Sequence, residues 1–199
     1  MDLKTVVYYA AMFLQLEDVT EALESDSEYI GETADEIDRL TRCANLVLSE
    51  TAADYMPLKT REEIYCENGE MLFTQLSKPV IDVFSVSSAA GVTVPFKQYF
   101  DRLILPKEGS YTVEYGYAPE KLALDDPLPY TERVSARVIA YGTACEYCII
   151  SGMTDEAVLW DKRYKDALHL AAIQKSEKRV AKRRYSASTT ICVTPITRA

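Results

Sequence analysis

The sequence predicts an α+β fold: N-terminal helices, a small antiparallel β-sheet in the middle, a C-terminal antiparallel helical hairpin and an extended C-terminal arm. Two observations predict it. Apolar residues recur at helical spacing near both ends of the chain, and β-forming residues cluster between turn signals in the middle. The chain has 199 residues, 48% of them apolar, which is enough for the core of one domain. We expect that domain to cover residues 1–173, followed by a basic helix end and arm over 174–199.

The N-terminal helices are predicted over residues 5–56. The apolar run from Thr5 to Leu16 is too short to span a bilayer and lacks the flanks of a signal peptide. From Glu17 to Asp38 there are ten acidic residues and no basic one, which favours a solvated face over a surface for a basic partner. Thr33 to Glu36 has the capping-box pattern that starts a helix, and Pro57 forces its end. Helical spacing predicts its apolar face at Ile37, Leu40, Ala44, Val47, Leu48 and Thr51.

The sheet is predicted over residues 62–117. Asn68 and Gly69 are the residue pair favoured in a tight hairpin turn, between strands at 63–67 and 71–75. The further predicted strands are 80–86, 92–100, 103–105 and 111–117. We expect all of these strands to form one small antiparallel sheet.

The helical hairpin is predicted over residues 131–173. Its first helix is expected to start at Thr131 and to pack through one narrow seam, because its apolar residues are spaced by three and four. These residues are Val134, Val138, Tyr141, Cys145 and Cys148. After a break at Ser151 to Met153, the second helix repeats the spacing at Ala157, Trp160, Tyr164, Leu168 and Ala171. A short break between two such helices predicts antiparallel packing.

The pair Cys145 and Cys148 has the one spacing that could carry chemistry. A redox thiol needs an exposed helix N-terminus, whereas both cysteines fall inside a helix on its apolar seam. Zinc would need about two more ligands, and the remaining candidates are scattered single residues. Core packing is therefore the favoured interpretation, and a thiol or zinc enzyme is the alternative.

Other sequence patterns do not favour catalysis. His169 is the only histidine, and no nucleophile-elbow sequence accompanies it. Asp125 and Asp126 precede a proline, which favours a turn over a pair of hydrolytic carboxylates. The seven glycines stand singly, so no phosphate-binding loop can be written. The sequence thus predicts no enzyme activity and no cofactor.

Charge divides the chain into two parts. From Gln174 to Ala199 there are seven basic residues and one glutamate, a net charge of +6, so the preceding body carries −15 of the total of −9. An acidic body with a basic tail suggests attachment through the tail. The cluster from Lys175 to Arg184 could instead be a solvated helix end, or could lie near nucleic acid without reading its sequence, because no aromatic residues interleave it.

The series of motifs from Tyr111 to Ala171 resembles the head-to-tail connector (tail adaptor) proteins of tailed bacteriophages and prophages. The resemblance rests on spaced segments and covers about a third of the chain. These segments are Val113-Glu114-Tyr115 followed by Ala118-Pro119, Leu124-Asp125-Asp126, residues 141–148, and residues 155–157 leading to 160–168.

The resemblance implies a structural virion protein at the head-tail junction, assembled in the bacterial host cytoplasm. It implies a ring of identical subunits, as a rule a dodecamer, that connects the portal to the tail and contributes to the DNA passage. The expected partners are the portal, a tail-side neck or tail-terminator protein and, without sequence recognition, packaged DNA; no membrane is expected. Head-to-tail contacts between subunits would close such a ring.

The residues expected to bind the portal or another partner lie in the tail. Basic side chains would meet an acidic surface, and Thr189 to Thr194 would add a strand to a partner sheet. The residues assigned to this contact are Lys178, Arg179, Lys182, Arg183, Arg184, Thr190, Ile191 and Val193. Two alternatives are a tail-side neck protein that contacts the tail terminator and a host-directed regulatory binding module.

Overall fold

The computed structural model describes residues 1–25, 29–130 and 134–180, with side chains described as far as residue 171. Within these residues it is a mixed α+β fold with five α-helices and two small antiparallel sheets. The helices are α1 (Leu3–Phe13), α2 (Glu17–Ser25), α3 (Glu32–Glu50), α4 (Ala136–Ile150) and α5 (Thr154–Val180). The strands are β1 (Leu58–Cys66), β2 (Glu70–Leu72), β3 (Val80–Ser88), β4 (Lys97–Gln98), β5 (Arg102–Ile104) and β6 (Gly109–Tyr117).

The N-terminal region is helical, as predicted, but it is divided differently. Asp2 caps α1 by accepting a hydrogen bond from the Thr5 N–H at 3.0 Å. The apolar run does not stay helical to Leu16, because α1 ends at Phe13 and Gln15 has a φ of 58°. That left-handed residue separates α1 from α2. In the acidic stretch that follows, the described acidic side chains are exposed except for the half-buried Glu36.

Helix α3 follows the predicted spacing, but its predicted cap is wrong. The helix begins at Glu32 after Gly31, whose φ of 64° suits glycine, so Thr33 lies in the first turn and caps nothing. Glu36 does not reach back to a cap; it accepts a hydrogen bond from the Tyr147 hydroxyl at 2.7 Å. The predicted inner face is confirmed, since Ile37, Leu40, Ala44, Val47, Leu48 and Thr51 are buried. A π-helical turn, Thr51–Tyr55, ends the helix before Pro57.

The predicted single sheet is wrong, because the strands form two sheets with the orders β1-β6-β3 and β2-β5-β4. The Asn68-Gly69 turn is present, with φ values of 54° and 76° and a bridge from Glu67 to Glu70. Beyond that bridge the two strands separate. β1 pairs with β6 from Leu58 opposite Tyr117 to Cys66 opposite Gly109, whereas β2 pairs with β5.

Two of the predicted strands are shorter than expected. The segment predicted as a strand at 71–75 becomes a 3₁₀ turn, Phe73–Gln75, after only three residues of β2. In the segment 92–100, pairing is limited to β4 and a bridge from Thr93 to Ser87. Both segments serve the smaller sheet, whose strands are only two or three residues long.

Helix α4 is the central helix. The prediction that it packs through one narrow seam is wrong, because more of its surface is buried. It contacts α1, α3 and α5, so several of its faces are buried. Residues outside the predicted seam that are buried include Ala136, Ile139, Ala140, Thr143, Ala144 and Tyr147. The helix begins at Ala136; Val134 and Ser135 precede it without helical structure, and Thr131 lies outside the described residues.

Helix α5 confirms the predicted spacing. Ala157, Tyr164 and Leu168 are buried, and Trp160 is half-buried against aromatic neighbours. The Trp160 ring stacks on Phe13 at a centroid distance of 5.3 Å and on Tyr141 at 6.0 Å, which joins α5 to α1 and α4.

The segment between β6 and α4 lies against the N-terminal helices. The Leu3 N–H donates to the Asp126 carbonyl at 3.0 Å, and Asn45 on α3 exchanges two hydrogen bonds with the Leu122 backbone. The Asp126 carboxylate accepts from the Ala123 N–H at 2.6 Å, so this aspartate serves the turn that the sequence favoured.

Candidate functional site

A groove of about 350 Å³ opens between α4 and α5, beside the C-terminal end of α3. The residues of its floor are buried and, except for Tyr164, small. Its rim carries three carboxylates and two exposed aliphatic side chains. The floor consists of Gly142, Cys145, Ala157 and Tyr164. The rim consists of Glu50, Glu146, Ile149, Val158 and Asp161. We call this feature the α4/α5 groove.

Close packing at Gly142 shapes the floor. A Cβ atom at this position would lie 2.7 Å from Val47 Cγ1 on α3 and 3.1 Å from Tyr164 Cε2 on α5. Glycine therefore lets three helices approach one another, and the space left beside their contact is the groove.

The Tyr164 hydroxyl anchors α5 to the end of α3. It lies 2.8 Å from the Thr51 hydroxyl, which also lies 2.7 Å from the Val47 carbonyl and donates to it. Burial raises the pKa of Tyr164 well above its ordinary value, so this residue stays neutral and acts as a structural tie.

Negative charge is in excess at the rim around Glu50. Partial burial raises the pKa of this carboxyl, and the negative charges of Glu146, Asp54 and Asp161 raise it further. Lys165 opposes them, but its Nζ lies 2.8 Å from Asp161 and forms an ion pair there. Glu50 has no hydrogen bond or ion pair within the described part of the chain. A cation brought to this rim would relieve the repulsion.

The apolar part of the rim is open to solvent. Ile149 is 54% exposed and Val158 is 71% exposed, so neither contributes much to the core of the isolated chain. Each lies three residues from a rim carboxylate on the same helix, Glu146 and Asp161 respectively. An apolar floor with an acidic rim suits a segment that carries both apolar and basic side chains.

Neither Cys145, which lines the groove, nor Cys148 is set up for thiolate chemistry. Both side chains are buried, and the Cys145 Sγ donates to the Ala157 carbonyl at 3.4 Å. Burial, reinforced by Asp161 and Glu146, raises the pKa of Cys145 to about 11, and burial also raises the pKa of Cys148. A reactive thiol needs the opposite shift. Over residues 1–25, 29–130 and 134–171, no three His, Cys, Asp or Glu side chains are grouped to hold a metal ion.

None of the side chains predicted to bind a partner lies within the described part of the chain. Lys178 and Arg179 lie in the last turn of α5, where only the backbone is described. Lys182, Arg183, Arg184, Thr190, Ile191 and Val193 lie outside the described residues. His169 is exposed on α5.

Sequence reasoning missed the rim of the α4/α5 groove. None of the sequence motifs or spacings singled out Glu50, Glu146, Ile149 or Val158 as members of one site. One available signal was the aliphatic residue placed three positions from an acidic one on each of two adjacent helices, at 146–149 and 158–161.

A second exposed apolar feature is the turn between β4 and β5. The Phe100 side chain is fully exposed, and the neighbouring Tyr99 is 56% exposed. The Tyr99 N–H donates to the Arg102 carbonyl at 2.8 Å, which holds the turn together while both rings face solvent. We call this feature the β4/β5 tip.

Several of the fourteen tyrosines serve the core rather than a partner surface. Five buried tyrosine hydroxyls have partners inside the chain, which satisfies the one polar atom of each ring. The pairs are Tyr111 with the Lys107 carbonyl, Tyr115 with Glu62, Tyr130 with the Met56 carbonyl, Tyr147 with Glu36, and Tyr164 with Thr51. The high tyrosine content is therefore explained in part by internal cross-links.

Within the described residues no helix is long and apolar enough to cross a membrane. No family model matches the chain, and no curated protein matches it either.

Proposed function

We propose that this chain is a subunit of a head-to-tail connector ring of a tailed bacteriophage or prophage. In that role the ring joins the portal to the tail and surrounds the path of the DNA. The chain is a structural virion protein, and its work is done by surfaces that bind other proteins.

The observation that carries the proposal is the position of the connector-like segments in the fold. Residues 113–115 belong to β6, the middle strand of its sheet, and residues 141–148 belong to α4, the central helix. Residues 155–168 form the part of α5 that packs on α4. The series therefore constitutes the framework of the subunit, and a shared framework is what a family resemblance reflects.

The exposed apolar features support a protein that assembles. The α4/α5 groove and the β4/β5 tip belong to different layers of the fold, one helical and one in the smaller sheet. Two separate adhesive surfaces on one subunit are what a head-to-tail contact requires. The raised pKa values of Cys145 and Cys148 favour this role over a thiol enzyme.

In the proposed assembly α4 and α5 form a helical hairpin, and the C-terminal arm extends from it to the portal. Thr190, Ile191 and Val193 add a strand to a portal sheet, while the basic residues before them meet an acidic surface. Main-chain hydrogen bonds would provide the affinity, and alternate side chains the specificity.

The test uses the purified full chain and the portal protein encoded in the same phage or prophage genome. We expect electron microscopy of the mixture to show a ring seated on the portal, and removal of residues 185–199 to abolish the contact. If the truncated chain binds the portal as strongly as the full chain does, the assignment of the arm as the portal-binding segment is wrong. A ring that binds only tail-side proteins would place the chain in the neck below the connector.

A further inference from the structure

We propose that the α4/α5 groove binds the basic C-terminal segment, residues 174–185, of a second copy of this chain. The groove is open to solvent, has a floor of buried residues, and carries more carboxylates than cations at its rim. The segment is the part of the same chain whose composition complements it. This inference deepens the proposed ring and rests on it for closure, whereas the contact between two copies can be tested alone.

Charge complementarity is the first argument. Glu50, Glu146 and Asp161 face the groove, and Lys165, the cation beside them, pairs with Asp161. Residues 174–185 contain six basic residues and one glutamate. A basic side chain near Glu50 would replace carboxylate repulsion with attraction in a partly buried setting, where charges are less screened than in open water.

Apolar complementarity is the second argument. Ile149 and Val158 leave apolar surface exposed beside the carboxylates. Residues 178–185 read Lys-Arg-Val-Ala-Lys-Arg-Arg-Tyr, so Val180, Ala181 and Tyr185 are interspersed among the basic residues. A segment of this kind can cover the aliphatic rim while its charges reach the carboxylates, as interfaces with an apolar centre and a polar edge do.

The length of α5 determines that the segment must come from another copy. Val180 lies about 24 Å along the helix axis beyond Tyr164, the last groove residue on α5, at about 1.5 Å per residue. Arg184 is four residues farther on, and four extended residues reach at most about 14 Å. The basic residues therefore cannot return to the groove of their own chain.

The proposed contact is heterologous, because the groove of one copy receives the tail of the next. Each copy then offers one free groove and one free tail, so the contact propagates and closes when the rotation per subunit allows. Residues 189–194 lie beyond the groove-binding segment and stay available for the portal.

The test is a titration of a fluorescent peptide of residues 174–199 against the full chain, measured by anisotropy at low protein concentration. We expect saturable binding that weakens as salt is added. Val158→Arg and Glu146→Lys should each weaken it by about tenfold or more. Leu170→Arg is the matched control: it places the same side chain on α5 at another exposed site, 62% exposed, and should bind the peptide as the natural chain does.

A mixing experiment tests the direction of the contact. The Val158→Arg chain keeps its tail, and a chain with Lys182, Arg183 and Arg184 changed to glutamate keeps its groove. We expect neither variant to self-associate, and their mixture to form a one-to-one complex in sedimentation velocity. No peptide binding, equal binding by all groove variants, or no complex in the mixture would overturn the proposal.

The outcome is distinguishable from a failure of the proposed function. If the peptide binds the groove but the chain never joins a portal or tail, the groove contact stands and the connector role fails. If rings form on the portal with groove variants as readily as with the natural chain, the connector role stands and this inference fails.

Discussion

The Tyr164 hydroxyl on α5 lies 2.8 Å from the Thr51 hydroxyl at the end of α3, inside the core. Thr51 uses its own proton on the Val47 carbonyl at 2.7 Å, so Tyr164 is the donor to Thr51. This pair ties the two helices that carry Glu50 and Asp161 and thereby fixes opposite sides of the α4/α5 groove.

Replacing Tyr164 by phenylalanine should weaken the fold with little change in shape. We expect the free energy of unfolding to fall by about 1 kcal/mol, the net value of one buried hydrogen bond, in urea denaturation followed by circular dichroism. Tyr65→Phe is the control, because Tyr65 is 53% exposed and bonds Glu108 at the surface; it should change stability by less than about 0.5 kcal/mol. Equal stability of the Tyr164→Phe variant and the natural chain would contradict the assignment.

Adding one methyl group at Gly142 should destabilise the helical layer. Alanine normally stabilises a helix by about 1 kcal/mol relative to glycine, but here the added Cβ would lie 2.7 Å from Val47 Cγ1. Val47 is 1% exposed and cannot swing into solvent. We expect Gly142→Ala to lower the free energy of unfolding by about 1 to 3 kcal/mol, the usual cost of overpacking a core.

The same clash can be tested by a double-mutant cycle. Val47→Ala removes the methyl group in the way, so the double variant should be less destabilised than the sum of the two single variants. Strict additivity in the unfolding free energies would show that the close contact between α3 and α4 is not what constrains Gly142.

Helical periodicity and turn chemistry could be predicted from the sequence because they are local properties. The inner face of α3, the buried spacing of α5 and the left-handed Asn68-Gly69 turn all follow from residues within a few positions of one another. Strand pairing could not be predicted in the same way. Alternation identifies a strand but not its partner, so the sequence did not reveal that β1 and β2 leave their shared turn for different sheets.

The central helix and the groove were missed for a related reason. Helix α4 is packed by neighbours on several sides, and it contacts them with Ala136, Ala140, Gly142 and Thr143 as well as with large apolar residues. Small residues carry no periodic signal, so the pattern showed only a narrow seam. The carboxylates of the groove come from three helices, and each looks like an ordinary solvated residue in its own segment.

Neutralising Glu50 should raise the free energy of unfolding, and the size of this gain should depend on pH. The pKa of Glu50 is raised mainly by burial and then by Glu146 and Asp54, so the carboxylate destabilises the fold above its folded pKa and ceases to do so as the pH falls through it. Glu50→Gln should therefore stabilise the chain at pH 7, by less than about 1 kcal/mol for a half-exposed group.

The Glu50→Gln gain should shrink in thermal unfolding between pH 7 and pH 4. Glu63→Gln, at an exposed position on β1, serves as the control and should show no such gain. A Glu50→Gln variant that is less stable than the natural chain at pH 7 would mean that the carboxylate has a favourable partner in the free chain.

The exposed phenyl group of Phe100 should affect assembly of the proposed ring of subunits but not the stability of the free chain. This group is fully exposed, so Phe100→Ser should change the free energy of unfolding by less than about 0.5 kcal/mol. If the β4/β5 tip contacts a neighbour in the ring, the same variant should form fewer rings on the portal in electron micrographs. Val92→Ser, at another exposed apolar position (63%), is the matched control. Normal ring formation by Phe100→Ser would exclude the tip from the interface.

The contribution of Glu62 to stability should depend on pH in the opposite sense to that of Glu50, because the Glu62 carboxylate accepts several hydrogen bonds. It accepts hydrogen bonds from the Tyr115 hydroxyl, the Ser77 hydroxyl and, at 3.0 Å, the Ser77 N–H. Partial burial acts to raise the pKa of Glu62, but these bonds outweigh it and hold the pKa below the ordinary value of 4.5. The ionised form is therefore the stabilising one.

This stabilisation is present above pH 4.5 and is lost as the pH falls through the lower folded pKa. Glu62→Gln should cost about 1.5 kcal/mol at pH 7, the lower end of the range for hydrogen bonds to a charged group, and the cost should diminish toward pH 3. Measuring the Glu50 and Glu62 variants over one pH series separates these local effects from general acid unfolding, because their differences from the natural chain have opposite signs at pH 7. A cost at Glu62 that is the same at pH 3 as at pH 7 would show that packing of the side chain, and not its charge, holds Tyr115 and Ser77 in place.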